Sequence, residues 1–211
     1  MLLFDIGGNT GKWALANASG TQDVRIVSVE ASATTFEHLC RNTRSIGDRI
    51  VCLNYAVTDA PGPTITFHFC PSDMGLSSLN KKDWFDDPKG RFYGLATVEE
   101  KVPTITLDRL ISEHGVPDLI KIDVEGAELE VIRSLTRKVA CVCFEWASEM
   151  RVEACECIDL LQALGFTRYY VQHSDSYTFR PADSIYVDIS TVKAQLGQTV
   201  DKVHWGMIWA V

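Results

Sequence analysis

Asp118-Leu119-Ile120-Lys121-Ile122-Asp123-Val124-Glu125-Gly126-Ala127-Glu128-Leu129-Glu130-Val131-Ile132 runs from an apolar strand into acids and then almost at once into a helix. A near-continuous apolar run suits a parallel strand covered on both faces. Acids at its carboxyl end would face the crevice where open α/β sheets bind their ligands. Near the start of the chain, Phe4-Asp5-Ile6-Gly7-Gly8-Asn9-Thr10-Gly11 has the same layout: a few apolar residues, an acid and a glycine-rich turn. Lys12-Trp13-Ala14-Leu15-Ala16 then reads as a helix beginning.

Working outward, short β-rich runs alternate with helical patterns, the signature of βαβ units. Strands are predicted over 2–6, 24–29, 50–57, 119–124, 140–146, 167–171 and 206–211, and helices over 10–18, 33–43, 107–113, 126–137 and 150–164. The expected fold is a doubly wound, mostly parallel seven-stranded sheet. Residues 58–104 break the rhythm after the third strand. Asp59-Ala60-Pro61-Gly62-Pro63 is a turn, and residues 64–69 alternate like an antiparallel edge strand. Residues 80–94 mix charges, Gly, Pro and aromatics without period. The expectation is a β-hairpin and lid insertion, since long loops in compact domains serve as lids, binding loops or disordered inserts.

At 211 residues, 46% hydrophobic and 23% charged, the chain can bury one large core, and nothing in it resembles a linker; one domain over 1–211 is expected. Its first strand lies so near Met1 that a domain cut from a longer polypeptide is also expected. A net charge of -8 opposes a nucleic-acid partner, whose phosphates need Lys and Arg. The seven cysteines have no C-x-x-C pair and read as reduced core residues of a cytoplasmic protein. No run approaches the roughly 20 apolar residues of a membrane span.

Asp5-x-Gly7-x-Asn9-x-Gly11 places glycines where a strand turns sharply into a helix, so that backbone can approach a ligand closely. The dinucleotide fingerprint would need glycine at 9 and 12, where Asn9 and Lys12 stand. The Asp5 carboxylate would repel a pyrophosphate and suit an amino group. S-adenosylmethionine carries an ammonium, a sulfonium, a ribose diol and an adenine, which match this loop and the strand ends after it. Glu30, about 20 residues past the loop, stands where an acid accepts hydrogen bonds from ribose hydroxyls. Asn54, through its amide, and Ala56, through its backbone, are candidates for reading the adenine edge.

These blocks, with Ala56-Val57-Thr58-Asp59, Ser77-Ser78-Leu79, Thr106-Leu107-Asp108-Arg109-Leu110 and Phe144-Glu145, resemble the FkbM family of S-adenosylmethionine-dependent methyltransferases over residues 2–146. The resemblance implies a Rossmann-like class I fold and O-methylation of hydroxyls, often on sugars. It implies Asp5, Gly7, Asn9, Gly11 and Glu30 as cofactor contacts, and acids after the fourth strand in the active site. In many relatives a segment precedes the first strand and helps cover the site; the expectation is that this chain departs from the family there.

Methyl transfer from a sulfonium is an in-line displacement, so the acceptor hydroxyl must be aligned and its proton removed or weakened. Asp123, Glu125 and Glu145 come from the ends of two strands expected to be neighbours. Three readings stand. Clustered carboxylates raise one another's pKa, which would make one a base. Asp123 and Glu145 could bind a divalent metal, magnesium or manganese, through hard oxygens. The acids could instead cap the helix at Gly126. Asp123 is the first choice for base or ligand, and it could also touch the cofactor. Lys121 shares its face and is expected to pair with these acids. Of the histidines, only His204 stands out, as a candidate acceptor-lining residue. Trp84, Phe85, Phe92, Tyr93, Trp146 and Trp205 are candidate sugar-stacking rings, with core packing the rival reading for each.

The expectation is an S-adenosylmethionine-dependent O-methyltransferase acting on a sugar hydroxyl of a glycan or glycoconjugate, with a fused glycosyltransferase domain as its neighbour. The alternatives are a non-sugar hydroxyl on a lipid or polyketide, a non-catalytic cofactor-binding module, and a nicotinamide enzyme disfavoured by the glycine spacing.

Overall fold

A computed structural model of the chain describes residues 1–20, 22–198 and 204–211. In chain order the elements are β1 (Leu2–Ile6), α1 (Lys12–Ala18), β2 (Arg25–Val29), α2 (Ala33–Thr43), β3 (Ile50–Leu53), β4 (Ala56–Val57), β5 (Ile65–Phe69), α3 (Lys81–Trp84), β6 (Val98–Val102) and β7 (Thr104–Ile105). They continue with α4 (Leu107–His114), β8 (Leu119–Ile122), α5 (Glu128–Arg133), β9 (Val142–Ala147), α6 (Arg151–Ala163), β10 (Tyr169–His173), α7 (Ile189–Gly197) and β11 (Trp205–Ala210).

Seven strands form the central sheet in the order β10-β11-β9-β8-β1-β2-β3. All pair in parallel except β11, which is antiparallel to both β9 and β10. Strand order reverses between β1 and β8, so a crevice is expected beyond their carboxyl ends. Alternation along β1 sends Phe4 and Ile6 into the core under α4, α5 and α6, and Leu3 into the core under α1 with Trp13, Ala14 and Ala18. Each such apolar side chain contributes roughly 1.5–3 kcal/mol on burial. The doubly wound, mostly parallel sheet of the sequence reading is the fold observed. All seven cysteines are free thiols, and no helix among the described residues is long and apolar enough to cross a membrane.

Most boundaries agree with the sequence reading to within two residues, and the larger differences have local causes. The run 50–57 splits, because the Asn54 amide donates to Glu30 O and Ala31 O, both at 2.8 Å, and closes β3. β4 then leaves the sheet and pairs with β7. β8 ends at Ile122, and Asp123 and Glu125 stand in the loop beyond it. The helix expected over 126–137 is confined to α5. Positive φ at Glu125 and Gly126 delays its start, and Ser134, whose hydroxyl donates to Val131 O and accepts from Leu107 N, ends it. Finally, α7 was missed, although Asp188 caps it by accepting from Thr191 N at 2.8 Å and Val192 and Leu196 give it an apolar face.

The insertion is an antiparallel ribbon, β5 with β6, whose connection carries α3. Ser78 fastens it to the sheet: its backbone pairs with His68, and its hydroxyl donates to Glu125 O at 2.6 Å. Trp84 and Phe85 are buried with Cys70 in a small cluster of their own, so this part of residues 80–94 is packed rather than a solvated excursion.

Candidate active site

An open cleft of about 950 Å³ lies beyond the carboxyl ends of β1, β2 and β8. Its floor is the turn Gly7-Gly8-Asn9, held down by Gly7 N and Gly8 N, both donating to Val29 O at 2.9 Å. Tyr55, Ala56, Val57 and Phe67 give it an apolar wall, and Glu30, Asp123, Glu125 and Asp175 give it carboxylates. Lys12 and Lys121 are the cations among its described lining.

Of the sequence-derived cofactor contacts, Gly7, Asn9, Glu30, Ala56 and Asp123 line this cleft. Asp5, Gly11 and Asn54 do not. Asp5 is fully buried beneath the turn, where Oδ2 accepts from Ser28 Oγ at 2.9 Å and Oδ1 lies 3.3 Å from Lys121 Nζ. The amino group that meets Asp5 is therefore Lys121's. Register explains this, since Asp5 stands directly opposite Ser28 on β2 and Lys121 on β8. Gly11 precedes α1 and packs against Leu39 and Thr43 of α2. Asn54 spends its amide on the loop after β2.

Glu30 is buried, and its two oxygens accept from Asn9 N and Ser32 N at 2.9 Å each. Burial pushes its carboxyl up to about 7, against those two hydrogen bonds. Lys121 Nζ also reaches Asp123 Oδ2 at 3.2 Å and donates to Gly7 O at 3.0 Å. Two carboxylates hold its pKa above the usual lysine range despite burial, which acts the other way. The ion pair expected of Lys121 is thus present, shared between Asp5 and Asp123.

Asp123, Glu125 and Glu145 come together, with carboxylate oxygens all within 4.8 Å of one another. Burial first, and then the neighbouring acids, push Glu125 and Glu145 well above the ordinary glutamate range. None of the three caps α5, which has no side-chain cap at Ala127; a different acid orders the loop before it. Glu128 Oε1 accepts from Val124 N at 3.0 Å and Oε2 from Gly126 N at 3.1 Å, tying the acid-bearing loop to the start of α5. Gly126 adopts φ 89, and a Cβ there would lie 3.1 Å from the Trp84 ring, so the loop and the insertion pack directly.

Glu145 lines a second cavity, of about 700 Å³, between α5, α6 and the end of β9. Trp84 and Trp146 are in its wall; Phe92 stacks on Trp84 with ring centroids 4.9 Å apart. Phe85 is core, Tyr93 and Trp205 are exposed, and His204 lines neither space, its ring lying 6.3 Å from that of His173.

The sequence reading missed Asp175 and Tyr177, which line the first cleft. They lie just past the carboxyl end of β10, which runs in the direction of β9. The strand-end rule applied to Asp123 would have found them. Also missed were Gly75 and Ser77 of the insertion, which reach the same cleft.

The chain is similar in sequence to known methyltransferases. The family model described as "Methyltransferase FkbM domain" matches residues 5–177, past the limit of 146 read from sequence. The hexuronic acid methyltransferase AglP of Haloferax volcanii is 26% identical over 145 residues, which are 68% of this chain and 53% of that protein. The chain thus spans about half the length of this curated relative. Among solved structures, precorrin-6y C5,15-methyltransferase from Geobacter metallireducens aligns over 100% of this chain and 78% of its own at 8% identity, TM-score 0.48. Aeropyrum pernix fibrillarin with natively bound S-adenosyl-L-methionine aligns over 100% and 65% at 14% identity, TM-score 0.47.

Proposed function

This chain belongs to the methyltransferase FkbM domain family, and we propose that it uses S-adenosylmethionine to methylate a hydroxyl of a sugar in a glycan or glycoconjugate. The observation that carries the reading is the convergence of Asp123, Glu125 and Glu145, two lining the strand-end cleft and one lining the second cavity. The donor set supports a cationic cofactor over a dinucleotide. The cleft offers four carboxylates, and one of its two lysines is already held by Asp5 and Asp123. The curated relative's name, a hexuronic acid methyltransferase, supports a sugar acceptor.

When bound, S-adenosylmethionine supplies an electrophilic methyl group on a sulfonium. Glu30 would accept from the ribose hydroxyls, and Ala56, Val57 and Phe67 would offer apolar surface to the purine. One carboxylate of the trio takes up the acceptor's single hydroxyl proton, with Glu145 lining the second cavity and Asp123 and Glu125 the cofactor cleft. Burial and the neighbouring acids raise the pKa of Glu125 and Glu145, which makes either a stronger base than a free carboxylate. The same three side chains also fit a small divalent cation by ligand chemistry, as hard oxygen donors. Held there by Asp123 and Glu145, the cation would lower the hydroxyl's pKa.

The test is calorimetric titration with S-adenosylmethionine and its demethylated product, with and without EDTA, and then product mapping on sugar, lipid and polyketide acceptors. Micromolar binding and methyl ether formation on a sugar are expected. No binding of either compound would refute the reading, and loss of turnover with EDTA would favour the cation over a base alone.

A further inference from the structure

We propose that the second cavity is the acceptor site and that it takes a non-anionic sugar, a deduction that rests on the methyltransferase reading above. Glu145 in its wall belongs to the acid trio, so a hydroxyl held in the cavity lies beside the carboxylates that also line the cofactor cleft.

Two features identify the ligand class. The first is a pair of unused donors. Trp84 is 5% exposed and Trp146 is 2% exposed, both line the cavity, and neither indole Nε1 has a hydrogen-bond partner. Both nitrogens are closed to solvent in the empty protein, so a sugar hydroxyl oxygen would complete either bond as the indole shifts toward the cavity, relieving an unfavourable unpaired N–H. The indole faces and Met150 offer apolar surface to the C–H face of a pyranose. The second feature is charge. Glu128, Glu130, Glu145 and Glu153 line the cavity, and the described lining contains no lysine, arginine or histidine. A sugar carboxylate would enter as a further negative charge with no cationic side chain in the described lining to meet it, which is discrimination by unpaired charge. The cavity therefore selects against a uronate, in contrast to the substrate named for the archaeal relative.

The experiment uses the full chain, ¹⁵N-labelled in its five tryptophans and saturated with S-adenosylhomocysteine. It is titrated with methyl β-glucopyranoside and, separately, with methyl β-glucuronide, which differ only at C6. Trp84→Phe and Trp146→Phe assign the indole signals. The neutral glycoside should move the Trp84 and Trp146 signals, and the glucuronide should do so at least about tenfold less tightly. Trp84→Phe keeps a ring and removes the N–H, so it should raise the acceptor KM about three- to tenfold with cofactor affinity unchanged. Equal or tighter glucuronide binding, or no movement of either signal with any glycoside, overturns the proposal. Failure of S-adenosylhomocysteine to bind in the same sample would instead remove the methyltransferase reading on which the proposal stands.

Discussion

Gly7 sits so close to Asp123 that a Cβ added at Gly7 would lie 1.8 Å from the Asp123 carbonyl oxygen. The ends of β1 and β8 thus meet backbone to backbone, and the glycine loop fixes the height of the acid loop. Asp123 N completes the contact by donating to Ile6 O at 3.0 Å. Gly7 also adopts φ 79, a left-handed conformation that a side chain disfavours. Gly7→Ala should therefore part the two loops, lowering stability by about 2 kcal/mol or more and abolishing S-adenosylhomocysteine binding. Urea unfolding and calorimetry check this, and near-wild-type binding would contradict it.

Lys121 is the one cation between Asp5 and Asp123 in that junction. Lys121→Met leaves a fully buried carboxylate without its partner, a change that costs about 3–5 kcal/mol. Combining it with Asp5→Asn should recover part of the loss, because the charge is then gone while an acceptor for Ser28 Oγ remains. Denaturant midpoints of the two variants decide it. No recovery in the double variant would mean that Lys121 acts through Gly7 O and Asp123 rather than through Asp5.

Glu145→Gln removes a carboxylate from the trio without touching the first cleft. Turnover should fall by about 10² or more, with S-adenosylhomocysteine affinity within about threefold. Asp123→Ala should lower turnover comparably; an equal loss of cofactor binding would assign Asp123 to the cofactor instead. Steady-state kinetics with parallel calorimetry separates these outcomes.

Glu30 makes stability and binding respond to pH in opposite directions. Burial raises its carboxyl from 4.5 to about 7, so between those values the folded protein holds a proton that the unfolded chain has released. Its contribution to stability is complete below 4.5 and is lost as pH rises through about 7, amounting to at most about 3 kcal/mol. The ionised form is the better acceptor for ribose hydroxyls, so cofactor affinity should rise over the same window. Glu30→Gln should flatten both profiles. The check is urea unfolding and calorimetry at about pH 5 and about pH 8, and an unchanged slope in the variant would show that another group titrates.

Most of the sheet was legible because its strands are apolar on both faces, as in Leu119-Ile120-Lys121-Ile122, every residue of which is buried. β6 was not legible: Val98-Glu99-Glu100-Lys101-Val102 carries three charges and becomes a strand only by pairing with β5. β4 and β7 are two residues each, too short for any period. Trp84 and Phe85 read as sugar-stacking rings of a lid or, the favoured reading, as core, and the structure buries both.

The sequence by itself determined the family, the doubly wound sheet and the strand ends at which acids gather, since these arise from local runs and their spacing. Only the tertiary structure decided what each acid does. Asp5 and Asp123 look alike as acids at strand ends. Yet strand register seals Asp5 under the glycine turn with Ser28 and Lys121, while Asp123, one step past the end of β8, opens into the cleft. Both meet the Lys121 ammonium, and whether the carboxylate is also sealed from a ligand depends on which strands lie beside it. That is set by contacts more than a hundred residues apart, which no local pattern records.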